Sequence, residues 1–66
     1  MELTINGERQ QVEPVHTVAE LLEWFRVTHQ AVAVMANGMI IAQDQFAVHP
    51  IEAGDTIEII RFVGGG

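Results

Sequence analysis

Cysteine and serine are both missing from this 66-residue sequence. No disulfide framework, thiol nucleophile or cysteine-based zinc site can be built, and no serine nucleophile exists. Lysine is missing too. The three basic residues are all arginine and stand against nine acids, for a net charge of −6. Nucleic acid and anionic lipid are poor partners for such a chain, because phosphate contacts need cations. The acidic balance favours a partner with a basic docking face. No apolar run approaches the ~20 residues of a transmembrane helix. Met1-Glu2-Leu3 lacks the basic start of a signal peptide. The sequence reads as soluble and cytoplasmic, with no membrane or nucleic-acid role.

Length narrows the field further. At this size there is room for one core and not for the pocket-plus-scaffold anatomy of a typical enzyme. Such a chain buries only about 60% of its unfolded surface. Hydrophobic residues at 48% and charged residues at 18% still specify a folded domain rather than a disordered one.

What is present is a run of short periodic segments. Met1 to Asn6 alternates, with Leu3 and Ile5 on one face and Glu2 and Thr4 on the other. Asn6-Gly7 suits a type I′ turn, and Glu8 to Val12 returns as a polar edge strand. Pro14 ends it. Thr17-Val18-Ala19-Glu20 forms a capping box in which Glu20 reaches back to the Thr17 amide. A helix of about ten residues should follow from Val18. Its buried stripe is Val18, Leu21, Leu22 and Phe25, with Trp24 off the stripe. Ala31 to Ala36 and Met39 to Ile41 flank a second hairpin turn, Asn37-Gly38. Gln43 to His49 reads as a connection with a turn of helix, anchored by Phe46. Glu52-Ala53-Gly54-Asp55 is a turn, and Thr56 to Val63 is the strongest strand.

One helix with one apolar stripe needs one apolar sheet face. Both hairpins flank the helical crossover, and the first and last strands look core-like and should lie side by side. The expected fold is α+β: a mixed four- to five-stranded sheet with one main helix on one face, the β-grasp or ubiquitin-like arrangement. Residues 1–63 would form the domain and 64–66 a flexible glycine tail.

Side chains offer little chemistry. His16, His29 and His49 share no metal-ligand spacing and read as loop residues. Glu20 is used in capping. Glu2, Glu8, Glu13, Glu23, Glu52, Asp55 and Glu58 are scattered, with nothing to pair or desolvate them for acid–base work. No Gly-x-Gly-x-x-Gly or Walker sequence is present. No catalytic residue and no metal ligand is assigned.

The C-terminus is different. Gly64-Gly65-Gly66 follows a strong strand directly. Without Cβ atoms this tail is as thin as a polypeptide can be, and extended it reaches about 10 Å. It would carry an ionised α-carboxylate, whose ordinary pKa is about 3.5. Such a stalk can enter a narrow channel in a partner; a frayed end or an expression scar has the same composition. Alternation along the last strand puts Ile57 and Ile59 on one face and Glu58, Ile60 and Phe62 on the other. If the first face meets the helix, Ile60 and Phe62 either form a docking patch beside the tail or lie under neighbouring groups. Arg61 would share the helix-side face and snorkel outward.

Taken together, these segments resemble the sulfur carrier proteins of thiamin biosynthesis, the ThiS family. The resemblance rests on Met-x-Leu-x-Ile-Asn-Gly at the start, Thr-Val-x-x-Leu-Leu at Thr17 to Leu22, and Val32-Ala33-Val34 leading to Asn37-Gly38. Glu52-Ala53-Gly54-Asp55 and the ending Phe62-Val63-Gly64-Gly65-Gly66 complete it. It implies a carrier and not an enzyme. An E1-like adenylyltransferase (ThiF-like) would use ATP and magnesium to adenylate the Gly66 carboxylate. A sulfur donor system would convert it to a thiocarboxylate, and thiazole synthase (ThiG-like) would receive the sulfur. The carrier itself would bind no cofactor. Gly64, Gly65 and Gly66 would enter partner active sites, with Gly66 the modified residue.

Other readings use the same features. The small subunit of molybdopterin synthase also ends in Gly-Gly but tends to be longer. A protein-modifying ubiquitin-like tag shares the activation chemistry. A β-grasp interaction module with an inert tail would need no terminal glycine, and the net charge of −6 disfavours an RNA-binding version.

Overall fold

In the computed structural model, which describes residues 1–62, the opening alternation becomes strand β1 (Glu2–Ile5). Leu3 and Ile5 are buried and Glu2 is exposed. Asn6 and Gly7 both take positive φ, 51° and 84°, as a type I′ turn requires. The chain returns as β2 (Glu8–Gln11), a polar edge strand antiparallel to β1. Asn37 and Gly38 repeat those φ values between β3 (Val32–Ala36) and β4 (Met39–Ile41). The last strand is β5 (Thr56–Arg61). The end expected for it, Val63, lies outside the described residues.

The sheet has five strands in the order β2-β1-β5-β3-β4. β1 and β5 run parallel at its centre, side by side as expected, and every other pairing is antiparallel. Helix α1 (Val18–Trp24) covers one face. The core lies between them: Leu3, Ile5, Val34, Ile57, Leu21 and Leu22 are all buried in one cluster. This is the β-grasp arrangement that the residue pattern implied.

Two local expectations need correction. Thr17 does cap the helix, its Oγ1 accepting from the Glu20 amide at 3.2 Å. The Glu20 carboxylate, however, accepts from the amide of His16 at 3.0 Å and not from that of Thr17. Thr17 is drawn into a bridge with Pro50, flanked by bonds from Ile51 to His16 and from Val18 to His49.

The helix is also shorter than expected, at seven residues. It ends in a Schellman motif: the Val27 amide donates to the Leu22 carbonyl at 2.9 Å, and the Arg26 amide to Glu23 at 3.0 Å. Arg26 supplies the left-handed residue, at φ 57°. The reversal turns Val27 back onto the core, where it packs with Phe25.

The connection after β4 contains a single 3-10 turn, Gln43–Gln45. It inserts Phe46, 2% exposed, into the core beneath the start of α1. Ala19 anchors it by donating to the Phe46 carbonyl at 2.8 Å.

Candidate functional site

The site is the end of β5, from which the glycine tail departs. Gly64, Gly65 and Gly66 themselves lie outside the described residues. Ile57 is fully buried against the helix. One step along in the alternation, Ile60 and Phe62 point to the open face, 49% and 60% exposed. No loop among the described residues covers them. Arg61 falls on the helix-side face, as expected, where it lines a groove with Phe25 and Val27.

The open face carries more apolar surface than those two residues. Ile60 stands opposite Ala33 on β3, and Met35 stands opposite Ile40 on β4. Ile40 is 76% exposed. Phe62, Ile60, Ala33, Met35 and Ile40 therefore form an apolar stripe across three strands, interrupted only by Glu58 opposite Met35. Isolated apolar side chains on a surface are ordinary, whereas a contiguous stripe of this extent is not. Ile40 and Met35 were not singled out from the sequence. The signal was available: a two-residue Asn-Gly turn fixes the hairpin register, and buried Val32 and Val34 force Met35 and its partner Ile40 outward.

A second feature went unread. Both turn asparagines clamp β5 with their carboxamides. Asn6 Oδ1 accepts from the Ile59 amide at 2.8 Å, and its Nδ2 donates to the Ile59 carbonyl at 3.2 Å. Asn37 Oδ1 accepts from the Thr56 amide at 2.9 Å, while its Nδ2 donates to Asp55 at 3.2 Å. Each clamp extends the sheet where a neighbouring strand has already turned away. Together they brace β5 at Thr56 and at Ile59.

The histidines and acids converge on nothing catalytic. His16 Nδ1 lies 3.3 Å from Glu20 Oε1 in an exposed pair. The His29 ring meets Phe46 edge-on at 6.0 Å. Among the described residues, no three His, Asp or Glu side chains gather where they could hold a metal ion. Nor is any helix among them long and apolar enough to cross a membrane.

Comparison with known proteins agrees with this geometry. The model of the ThiS family matches residues 2–66. The chain is 30% identical to the sulfur carrier protein ThiS of Escherichia coli strain K12 over the full length of both. It is 38% identical, again over its whole length, to part of a thiazole synthase from Paramagnetospirillum magneticum, and spans 20% of that protein. The crystal structure of thiamine biosynthesis protein ThiS from Geobacter metallireducens superposes with a TM-score of 0.83 at 33% identity, covering all of both chains. The chain belongs to the ThiS family.

Proposed function

We propose that this chain is the sulfur carrier of thiamin thiazole assembly, a protein co-substrate acting in the cytoplasm. A family match that runs through the terminal glycines carries the reading. The fold supports it. The carrier needs no catalytic side chain, only a rigid body that presents a thin tail.

The chemistry resides in the Gly66 carboxylate. A carboxylate is a poor electrophile, so an E1-like adenylyltransferase activates it with ATP and magnesium. A carboxylate oxygen attacks the α-phosphorus, and pyrophosphate leaves. Hydrosulfide delivered by the donor system then attacks the acyl carbon, AMP leaves, and the S–H proton is lost. The resulting thiocarboxylate stores sulfur in a chain that has no cysteine. The stripe from Phe62 to Ile40 is the docking surface for the activating enzyme, and it places the tail at that enzyme's active site.

Thiazole synthase is the acceptor. One such enzyme contains, within a fifth of its length, a stretch similar to this entire chain. Covalent linkage raises the effective concentration of two modules that must meet. That arrangement supports a direct encounter between the carrier and the enzyme.

Intact mass spectrometry tests the proposal. The chain is incubated with ATP, magnesium, the E1-like enzyme of the same organism and a sulfide source. A mass gain of one oxygen-for-sulfur exchange, mapped to Gly66, is expected. An unchanged mass, with the enzyme active on a known carrier, would leave the inert-tail interaction module as the better reading.

A further inference from the structure

Strand β5 is unfinished on one side. Its backbone groups alternate in direction. Phe62 donates to the Ala31 carbonyl at 2.9 Å, and Ile60 stands opposite Ala33, so even-numbered positions bond toward β3. Odd-numbered positions bond toward β1. The Ile57 carbonyl accepts from the Asn6 amide at 2.9 Å, and the Asn6 carboxamide takes both backbone groups of Ile59. Arg61 is the next odd position. Pairing with β1 stops at Ile5 opposite Ile57, and the chain turns away at Asn6-Gly7. Among the described residues, nothing hydrogen-bonds to the Arg61 amide or carbonyl on that side.

Beside this open edge lies a groove of about 420 Å³. Ile5, Phe25, Val27 and Ile59 give it an apolar part, and Asn6, Gln10 and Arg61 a polar one. An adjoining depression is lined by Arg26, Arg61 and Phe62. Two of the three arginines of a chain with net charge −6 therefore meet at one place. Neither is ion-paired among the described residues.

We propose that this half-edge accepts an extended segment of thiazole synthase. Its backbone pairs with the Arg61 amide and carbonyl, an apolar side chain fills the groove, and a carboxylate meets Arg26 and Arg61. Each element of the site asks for one of these features. Free ladder groups on a strand edge are satisfied by an extended backbone. The apolar part of the groove takes an apolar side chain. Unpaired guanidiniums on an otherwise acidic surface select a carboxylate, which the rest of that surface would repel. The position also matters. The grip falls at the root of the tail, so it sets where the glycines enter. The stripe on the opposite face of the sheet stays free. This inference rests on the reading of the chain as a carrier whose tail enters thiazole synthase.

Amide hydrogen exchange on the ¹⁵N-labelled chain, free and with purified thiazole synthase of the same organism, is the decisive measurement. In the free chain the Arg61 amide should exchange at least about tenfold faster than its bonded neighbours Ile60 and Phe62. In the complex it should slow by about tenfold or more. Two variants add a binding test by calorimetry. Arg61→Pro removes a donor that has no internal partner, a change tolerated on an open edge. Arg61→Thr removes only the guanidinium. Arg61→Pro should weaken binding about tenfold more than Arg61→Thr, the scale of one interfacial hydrogen bond left unmade. If Arg61→Pro fails to fold, the exchange result on the unaltered chain decides alone. A complex that forms while the Arg61 amide stays unprotected overturns the inference and leaves the carrier reading standing. The absence of any complex overturns both the inference and the choice of acceptor. Protection that grows with concentration of the chain alone would mean self-pairing, and also overturns it.

Discussion

The carboxamide of Asn6 exchanges two hydrogen bonds with the backbone of Ile59, across 53 positions of sequence. It does the work of one more residue of β1 after the chain has already turned. Asn6→Gly keeps the turn, because glycine accepts positive φ, but removes the clamp. Two partly exposed hydrogen bonds at about 0.5–1.5 kcal/mol each predict a loss of about 1–2 kcal/mol. Urea unfolding of the variant measures it. A loss below about 0.5 kcal/mol, the level of an ordinary surface substitution, would mean that water replaces the clamp without cost.

Arg26 occupies the left-handed position that closes helix α1, at φ 57°. For a residue with a Cβ that conformation costs about 1–2 kcal/mol, and glycine avoids it at an entropic cost of about 0.5–1 kcal/mol. Arg26→Gly should therefore stabilise the domain by up to about 1 kcal/mol and raise its melting temperature by several degrees. A guanidinium kept where glycine fits better suggests a use for the charge. The same variant should weaken thiazole synthase binding. A more stable variant that binds unchanged would free Arg26 of any contact role.

Elements whose cause is local were legible in the sequence. Both Asn-Gly turns, the Thr17 cap and the buried alternation of Leu3 and Ile5 follow from neighbouring residues alone. The central pairing of the first and last strands followed from asking which strands were apolar enough to be central. Three features did not follow, because their causes are distant or atypical. The Asn6 clamp depends on a partner in another strand. The helix end was misplaced because arginine, and not glycine, marks it. The Glu20 carboxylate pairs with His16, at both its amide and its ring, instead of with the Thr17 amide. At the site, period-two alternation placed Ile60 and Phe62 on the face away from the helix, but did not show whether a loop covers them. The open edge at Arg61 was not readable, since it depends on where β1 stops.

Ile57 and Phe62 lie on one segment and should respond in opposite ways. Ile57 is fully buried, and Ile57→Ala should cost about 2–5 kcal/mol, enough to unfold much of so small a domain. Phe62 is 60% exposed, so Phe62→Ala should change stability by no more than about 0.5 kcal/mol. Its effect should appear in affinity for the activating enzyme, at about 1–2 kcal/mol or roughly tenfold. Ile40→Ala should act in the same direction if the whole stripe docks. Thermal melts beside binding titrations separate the two quantities. A Phe62 variant that melts early and binds normally would place that ring in the core.

Gly66→Ala tests the tail itself. The buried core runs from Leu3 to Ile57, so the melting temperature should not move. One methyl group beside the reacting carboxylate has a different consequence inside a channel shaped for glycine. It displaces the acyl group from the α-phosphorus, and a misplacement of about 1 Å costs roughly a hundredfold in rate. Adenylation should fall on that scale, as read by pyrophosphate release with the E1-like enzyme. Deleting Gly66 should abolish thiocarboxylate formation while leaving the fold intact. Equal adenylation rates for glycine and alanine would show that the active site is wide. The thinness of the tail would then need another explanation, such as passage through thiazole synthase.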